Sequence, residues 1–181
     1  MRTPVLIIGS GLAGLGTAYQ LGKNGIECLV VSPDQYPIEG TNSIQAQGGI
    51  IYRSPEDDPE SLSSDVMAAG DQINYEPAVK QLATDGISYV EDILIKELGV
   101  AFDLSSRSLS FTKEAAHGIP RIIHVKDHTG RAIMEALWVA VKKVPQIRIL
   151  SGYSLVDLLT SGHNCRGYEF KYQKNRCLGA F

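Results

Sequence analysis

Apolar residues in this chain come in short runs cut by glycine and proline, and those runs alternate with stretches of helical period. Pro4 to Ile8 is a continuous apolar run that ends at Gly9, the pattern of a buried strand in a parallel sheet. A helical pattern follows from Leu12 to about Asn24, with Leu15, Ala18 and Tyr19 on one side. Gly25 stops it from the C′ position. Glu27 to Val31 is a second apolar strand. Strand, turn, helix and strand within about 30 residues is the length of a βαβ unit.

Ser32 to Gly49 carries Pro33, Pro37, Gly40, Gly48 and Gly49 and is predicted to be an extended loop. Asp58-Pro59-Glu60 opens a helix, with Asp58 as N-cap and Pro59 at its first position, and Gly70 ends it. Glu76 to Leu98 is predicted to be helical with a break near Gly86 and a stop at Gly99. Leu104 to Phe111 alternates as a small hairpin, and Arg121 to Val125 is a strand. Thr129, a candidate N-cap, begins a helix to Val144 whose stripe is Ile133, Leu137, Ala140, Val141 and Val144. Pro145 closes it. Strands are expected at Ile147–Leu150, Tyr153–Leu159 and Gly167–Tyr172, and no element over Lys174 to Phe181. The fold class is therefore α/β, a Rossmann-like parallel sheet with flanking helices. Its last strands are missing, which points to truncation at the C-terminus.

Composition narrows this little: 181 residues with 44% hydrophobic and 20% charged positions suit one globular domain. A net charge of -3 gives no reason to expect nucleic acid or an anionic membrane as partner. No apolar run approaches the length of a membrane span. Cys28, Cys165 and Cys177 are widely spaced and odd in number. They fit a reducing cytoplasm, with Cys28 buried in a strand, and neither a disulfide framework nor a metal site.

The chemistry begins at Gly9-Ser10-Gly11-Leu12-Ala13-Gly14. Gly9 permits a tight turn, Gly11 lets the backbone approach a pyrophosphate, and Gly14 lets the helix lie close to the sheet. The helix start then offers N–H groups and partial positive charge to phosphates. At the end of the second strand, where an acid that binds ribose is usual, stands Ser32, whose hydroxyl can hydrogen-bond more weakly. Thr41-Asn42-Ser43-Ile44-Gln45-Ala46-Gln47-Gly48-Gly49-Ile50 suits either a backbone laid against a flat ring or a plain polar loop. The stretch from Thr112 to Arg131 holds three of the four histidines, His117, His124 and His128. It reads as a site for a charged substrate or as a solvated surface.

Together these segments, from about Val5 to Leu159, resemble the L-aspartate oxidase family, within the succinate dehydrogenase and fumarate reductase flavoproteins. Ile7 to Gly14 is shared by many flavoproteins, and Gln45 to Ile50 marks the superfamily. Thr112-Lys113-Glu114-Ala115-Ala116-His117 and Arg121-Ile122-Ile123-His124 with Thr129-Gly130-Arg131 separate its branches. The resemblance implies FAD held by Gly9, Ser10, Gly11, Ala13, Gly14, Ser32, Thr41, Asn42, Gln47, Gly48, Gly49 and His117. Asn42 stands where the succinate dehydrogenase branch carries the histidine that bonds covalently to FAD, so FAD is expected to be non-covalent. Glu114 matches the glutamate placed near the substrate's amino group, and a carboxylate there can pair with an α-ammonium that succinate lacks. The chain departs from the family at Ala115-Ala116, where paired glycines are usual, and at Gly118-Ile119-Pro120, where polar and basic residues are usual.

The implied reaction transfers a hydride from Cα of L-aspartate to flavin N5, giving iminoaspartate. Oxygen or fumarate reoxidises the flavin, and quinolinate synthase takes the imine toward NAD in the cytoplasm. Residues 1–181 are then the N-terminal portion of an FAD-binding domain, without the capping domain or the C-terminal helical domain, and the isolated chain is expected not to turn over L-aspartate at a normal rate. Two alternatives are a fumarate reductase or succinate dehydrogenase-like flavoprotein and a non-catalytic fragment that binds a dinucleotide.

Overall fold

The computed structural model describes residues 3–114, 116–172 and 175–180. The βαβ unit forms as β1 (Val5–Ile8), α1 (Leu12–Lys23) and β2 (Cys28–Ser32). The chain continues through α2 (Asn42–Gln45), β3 (Ile50–Ile51), α3 (Pro59–Ala69), α4 (Glu76–Gln81) and α5 (Ile87–Tyr89). It then forms β4 (Leu104–Ser105), β5 (Ser108–Leu109), β6 (Ile122–Ile123), α6 (Thr129–Val141), β7 (Ile147–Ser151), β8 (Tyr153–Ser161), β9 (Asn164–Tyr172) and β10 (Asn175–Ala180). No helix among the described residues is long and apolar enough to cross a membrane. Two compact units result: Met1–Gln45 with Met134–Phe181, and Ala46–Ile133.

In the first unit the parallel sheet has the order β1-β2-β7, with Val5 opposite Cys28 and Cys28 opposite Ile147. All five residues of β2 are buried, Cys28 included, which is why this strand is apolar without alternation. A Cβ on Gly22 of α1 would stand 2.6 Å from Val144 Cγ1 and 2.9 Å from Ile147 Cγ1. The helix therefore lies against the sheet more closely than any side chain at 22 allows. Strands β8, β9 and β10 make a separate antiparallel sheet. Leu29 and Val31 of β2 share a core with Tyr168 and Phe170 of β9, flanked by Leu6, Leu150, Tyr153 and Leu155. The segment read as structureless at the C-terminus is a strand over Asn175–Ala180, with Asn175 paired to Tyr172 and Ala180 to Gly167. Lys174 and Phe181 lie outside the described residues. Backbone ladder bonds make this strand, and they leave no trace in the hydrophobic pattern.

In the second unit Asp58 caps α3 as expected, its Oδ1 accepting from Ser61 N at 2.7 Å, and Gly70 closes the helix. The break expected at Gly86 is absent: Gly86 has φ -60 and ψ -42, and the helix runs on from α4 to Glu97. Pairing widens to the π pattern over Leu82–Gly86 and again over Val90–Glu97, with Leu98 N donating to Ile93 O five residues back at 2.8 Å. Leu62, Ala83 and Ile87 form the core beneath, with Ile51, Tyr52 and Val66 against them. That burial outweighs the cost of about 1 kcal/mol for glycine inside a helix. The hairpin is present, turning on Ser106 and Arg107, both at positive φ. Thr129 is the first residue of α6 and not its N-cap. Ala132 N donates to His128 O at 3.1 Å, and the Thr129 hydroxyl turns back to accept from Val125 N at 2.9 Å.

Candidate functional site

The glycine turn of the first unit stands between β1 and α1. Gly9 has φ +101 and donates its N–H to Val31 O at 2.9 Å, which ties the turn to β2. A Cβ on Gly14 would strike the Gly9 carbonyl, whose carbon is 3.1 Å away. Helical bonding begins with Leu15 N to Gly11 O at 2.9 Å, so the N–H groups of Leu12, Ala13 and Gly14 have no carbonyl of α1 to bond. Leu12 N is taken by Ser43 Oγ at 3.0 Å, and a Cβ on Gly11 would stand 3.2 Å from the same oxygen. Ser43 thus belongs to the turn although its sequence position assigned it no role; its contact lies across 31 residues of chain.

Ser10 and Ser32 are buried. Ser10 Oγ donates to Pro37 O and lies 2.9 Å from Ser32 Oγ. Ser32, expected at the ribose, therefore directs its hydroxyl into a closed triangle that pins the following loop. Thr41 Oγ1 donates to Ile38 O at 2.8 Å and accepts from Ile44 N at 3.3 Å, capping α2. Asn42 and Ala13 are exposed.

In the second unit Gln47, Gly48 and Gly49 lead into β3, which pairs with β6 through Ile50 and Ile123. Gly49 has φ +111, and a Cβ there would stand 2.5 Å from Ile122 Cγ2 and 2.7 Å from Ile123 O. Both conditions require glycine. Gly130 N donates to Ala46 O at 2.8 Å, and Thr129 Oγ1 reaches Gln47 O at 3.5 Å. Glu114 is exposed, and its Oε1 lies 3.1 Å from where a Cβ on Gly48 would be. His124 Cβ lies 3.4 Å from the corresponding point on Gly49. The double glycine is thus flanked by the Glu114 carboxylate and the Cβ of His124. Ala115 lies outside the described residues.

The histidines of this stretch divide by partner. His117 Nδ1 is buried with no hydrogen-bond partner among the described residues. His124 Nδ1 lies 3.0 Å from Asp103 Oδ2, an oxygen that also accepts from Lys126 N at 2.8 Å. These contacts, the Lys126 amide foremost, hold the Asp103 carboxyl below its ordinary range. His128 is exposed beside Asp127. Arg121 is not a receptor for a substrate anion: it is fully buried, and Asp57 takes its Nε and Nη2 at 2.9 and 3.0 Å. Asp65 Oδ2 takes its Nη1 at 2.6 Å, and Ser61 Oγ accepts from Nη2 at 3.0 Å. Sequence reading missed Asp57, Ser61 and Asp65; Ser61 and Asp65, four apart, share a face of α3, and Asp57 stands just before its N-cap.

The family model described as FAD binding domain matches residues 4–180. L-aspartate oxidase of Halobacterium salinarum is 39% identical over 157 residues, which cover 87% of this chain and 28% of that protein. L-aspartate oxidase of Clostridium acetobutylicum is 34% identical over 168 residues, 92% of this chain and 38% of its own length. The chain thus spans from just over a quarter to under two fifths of these curated relatives. Among solved structures, the Mycobacterium smegmatis Sdh1 complex superposes with a TM-score of 0.87 at 22% identity, covering 97% of this chain and 32% of that one. A quinol-fumarate reductase with menaquinol molecules also gives 0.87, at 19% identity, covering 98% and 32%. These two share the fold.

Proposed function

Because this chain belongs to the FAD binding domain family, we propose that it is the N-terminal, FAD-holding portion of an enzyme that oxidises L-aspartate to iminoaspartate. The observation that carries the reading is the Glu114 carboxylate lying against Gly48. An exposed acid beside a stretch without side chains can meet an ammonium group close to a flat ring. The shared name of the curated relatives supports the same substrate.

The residues fit the cofactor. Gly9, Gly11 and Gly14 clear the start of α1, and the Ala13 and Gly14 N–H groups are there for a pyrophosphate. Ser10, Ser32 and Thr41 hold the surrounding loop in place through their hydroxyls. Gln47, Gly48 and Gly49 offer a flat backbone, and the unpartnered His117 Nδ1 is available to a polar ring edge. Asn42 can donate and accept hydrogen bonds but forms no covalent link. When bound, FAD supplies the two-electron acceptor. Glu114 then orients the substrate by its α-ammonium. Oxygen or fumarate as final acceptor, transfer of the imine to quinolinate synthase, NAD biosynthesis and a cytoplasmic site complete the proposal through the likeness to the relatives.

Dicarboxylate titrations followed by flavin absorbance in the FAD-loaded protein test the substrate. Glu114→Gln is expected to weaken L-aspartate binding by about tenfold to a hundredfold, the loss of one charged hydrogen bond, and to leave succinate unchanged. Equal response of both ligands to the substitution would instead favour a dicarboxylate reductase without amine recognition.

A further inference from the structure

Asp65 has a second task beyond its ion pair. Arg121 is already matched by Asp57, which binds it at two nitrogens, and by Ser61. The same Asp65 oxygen that receives Arg121 Nη1 also accepts from Gly118 N at 2.6 Å. Gly118 lies in the loop that carries Glu114. The neck of that loop is closed by Thr112, whose N donates to Ile122 O at 2.9 Å and whose O accepts from Arg121 N at 3.1 Å. Within the loop, His117 N donates to Glu114 O at 3.0 Å, and Lys113 Nζ donates to Gly118 O at 2.8 Å. The Gly118 residue is therefore gripped at its N–H from α3 and at its carbonyl from Lys113. The next amide back, His117 N, fixes the backbone of Glu114.

We propose that Asp65 is a positioning residue for Glu114: from α3 it pins Gly118, and through that amide sets the pose of the acid against Gly48. The proposal rests on the reading of Glu114 as the residue that meets the substrate ammonium. Among the described residues of this loop, His117 N is the amide that bonds back to Glu114 O, so loss of the Asp65 pin loosens the acid from one side.

Amide hydrogen exchange and the carboxyl carbon shift of Glu114, both by NMR on the 181-residue chain, test this without any ligand. In Asp65→Ala, Gly118 and His117 amides are expected to exchange at least about tenfold faster, and the Glu114 shift to move to that of an unstructured glutamate. The amides of β1, β2 and β7 stay as they were. Asp65→Asn keeps an acceptor without the charge; its Gly118 exchange rises less, and Glu114 returns toward its native shift. Asp57→Ala, which loosens Arg121 alone, leaves Glu114 in place. The proposal is overturned if Glu114 moves no further in Asp65→Ala than in Asp57→Ala, or if asparagine restores nothing. If the alanine variant does not fold, Asp65→Asn decides, and unchanged Gly118 exchange in it overturns the proposal. Failure here leaves the amine reading standing, and a Glu114→Gln variant indifferent to L-aspartate leaves the positioning standing.

Discussion

Ser32 ends β2, the place of a ribose-binding acid in dinucleotide folds, yet its hydroxyl closes a buried triangle with Ser10 and Pro37. Arg121 likewise sits in the stretch densest in ionisable groups and is occupied on every side by Asp57, Ser61 and Asp65. Partners decide what a polar residue can do, and they lie 56 to 64 positions away in the chain for Arg121. Asp65 makes a pH prediction. The Gly118 N–H first, and Arg121 after it, hold its carboxyl below the ordinary range against the effect of desolvation. A carboxyl whose folded pKa lies under its unfolded value contributes stability that is complete above the unfolded value and lost as pH falls through the folded one. The urea midpoint is therefore expected to fall as pH drops below about 4. Asp65→Asn should flatten that fall, and an acid slope identical to that of the unsubstituted chain would contradict the assignment.

At the scale of elements, α3 carries its own start signal. Asp58 accepts from Ser61 N, Pro59 occupies the first helical position and Glu60 the first turn. Asp58→Ala is expected to cost about 1 kcal/mol of stability, with most of it recovered by Ser or Asn at the same position. Urea denaturation monitored by circular dichroism measures both. Such caps are legible because donor and acceptor are neighbours in sequence. So were β1, α1, β2 and the 104–111 hairpin, whose patterns are local. The helix through Gly86 was not, because a glycine's preference yields to the buried face formed by Ala83, Ile87, Val90 and Leu94. Nor was β10, which exists by pairing with β9. The start of α6 shifted by one residue because the Thr129 hydroxyl found Val125 N instead of its own helix.

For the whole molecule, the expectation is saturable FAD binding by the chain, followed by quenching of flavin fluorescence, with all flavin released by acid precipitation. Flavin retained in the precipitate would show a covalent bond and defeat the reading of Asn42. The amino-acid sequence by itself determined the α/β class, the FAD family and the places where only glycine serves. Positive φ at Gly9 and Gly49 and the tight approach at Gly14 are demands of the backbone on a single residue, so each is written at its own position. Tertiary structure alone decided that Ser43 belongs to the glycine turn, that Asp103 holds His124, and that Asp57 and Asp65 neutralise Arg121. It also left His117 Nδ1 buried without a partner among the described residues. These facts depend on which distant side chains meet in space, and hydrogen bonds across 21 to 64 residues of chain leave no period, cap or spacing for a sequence to display.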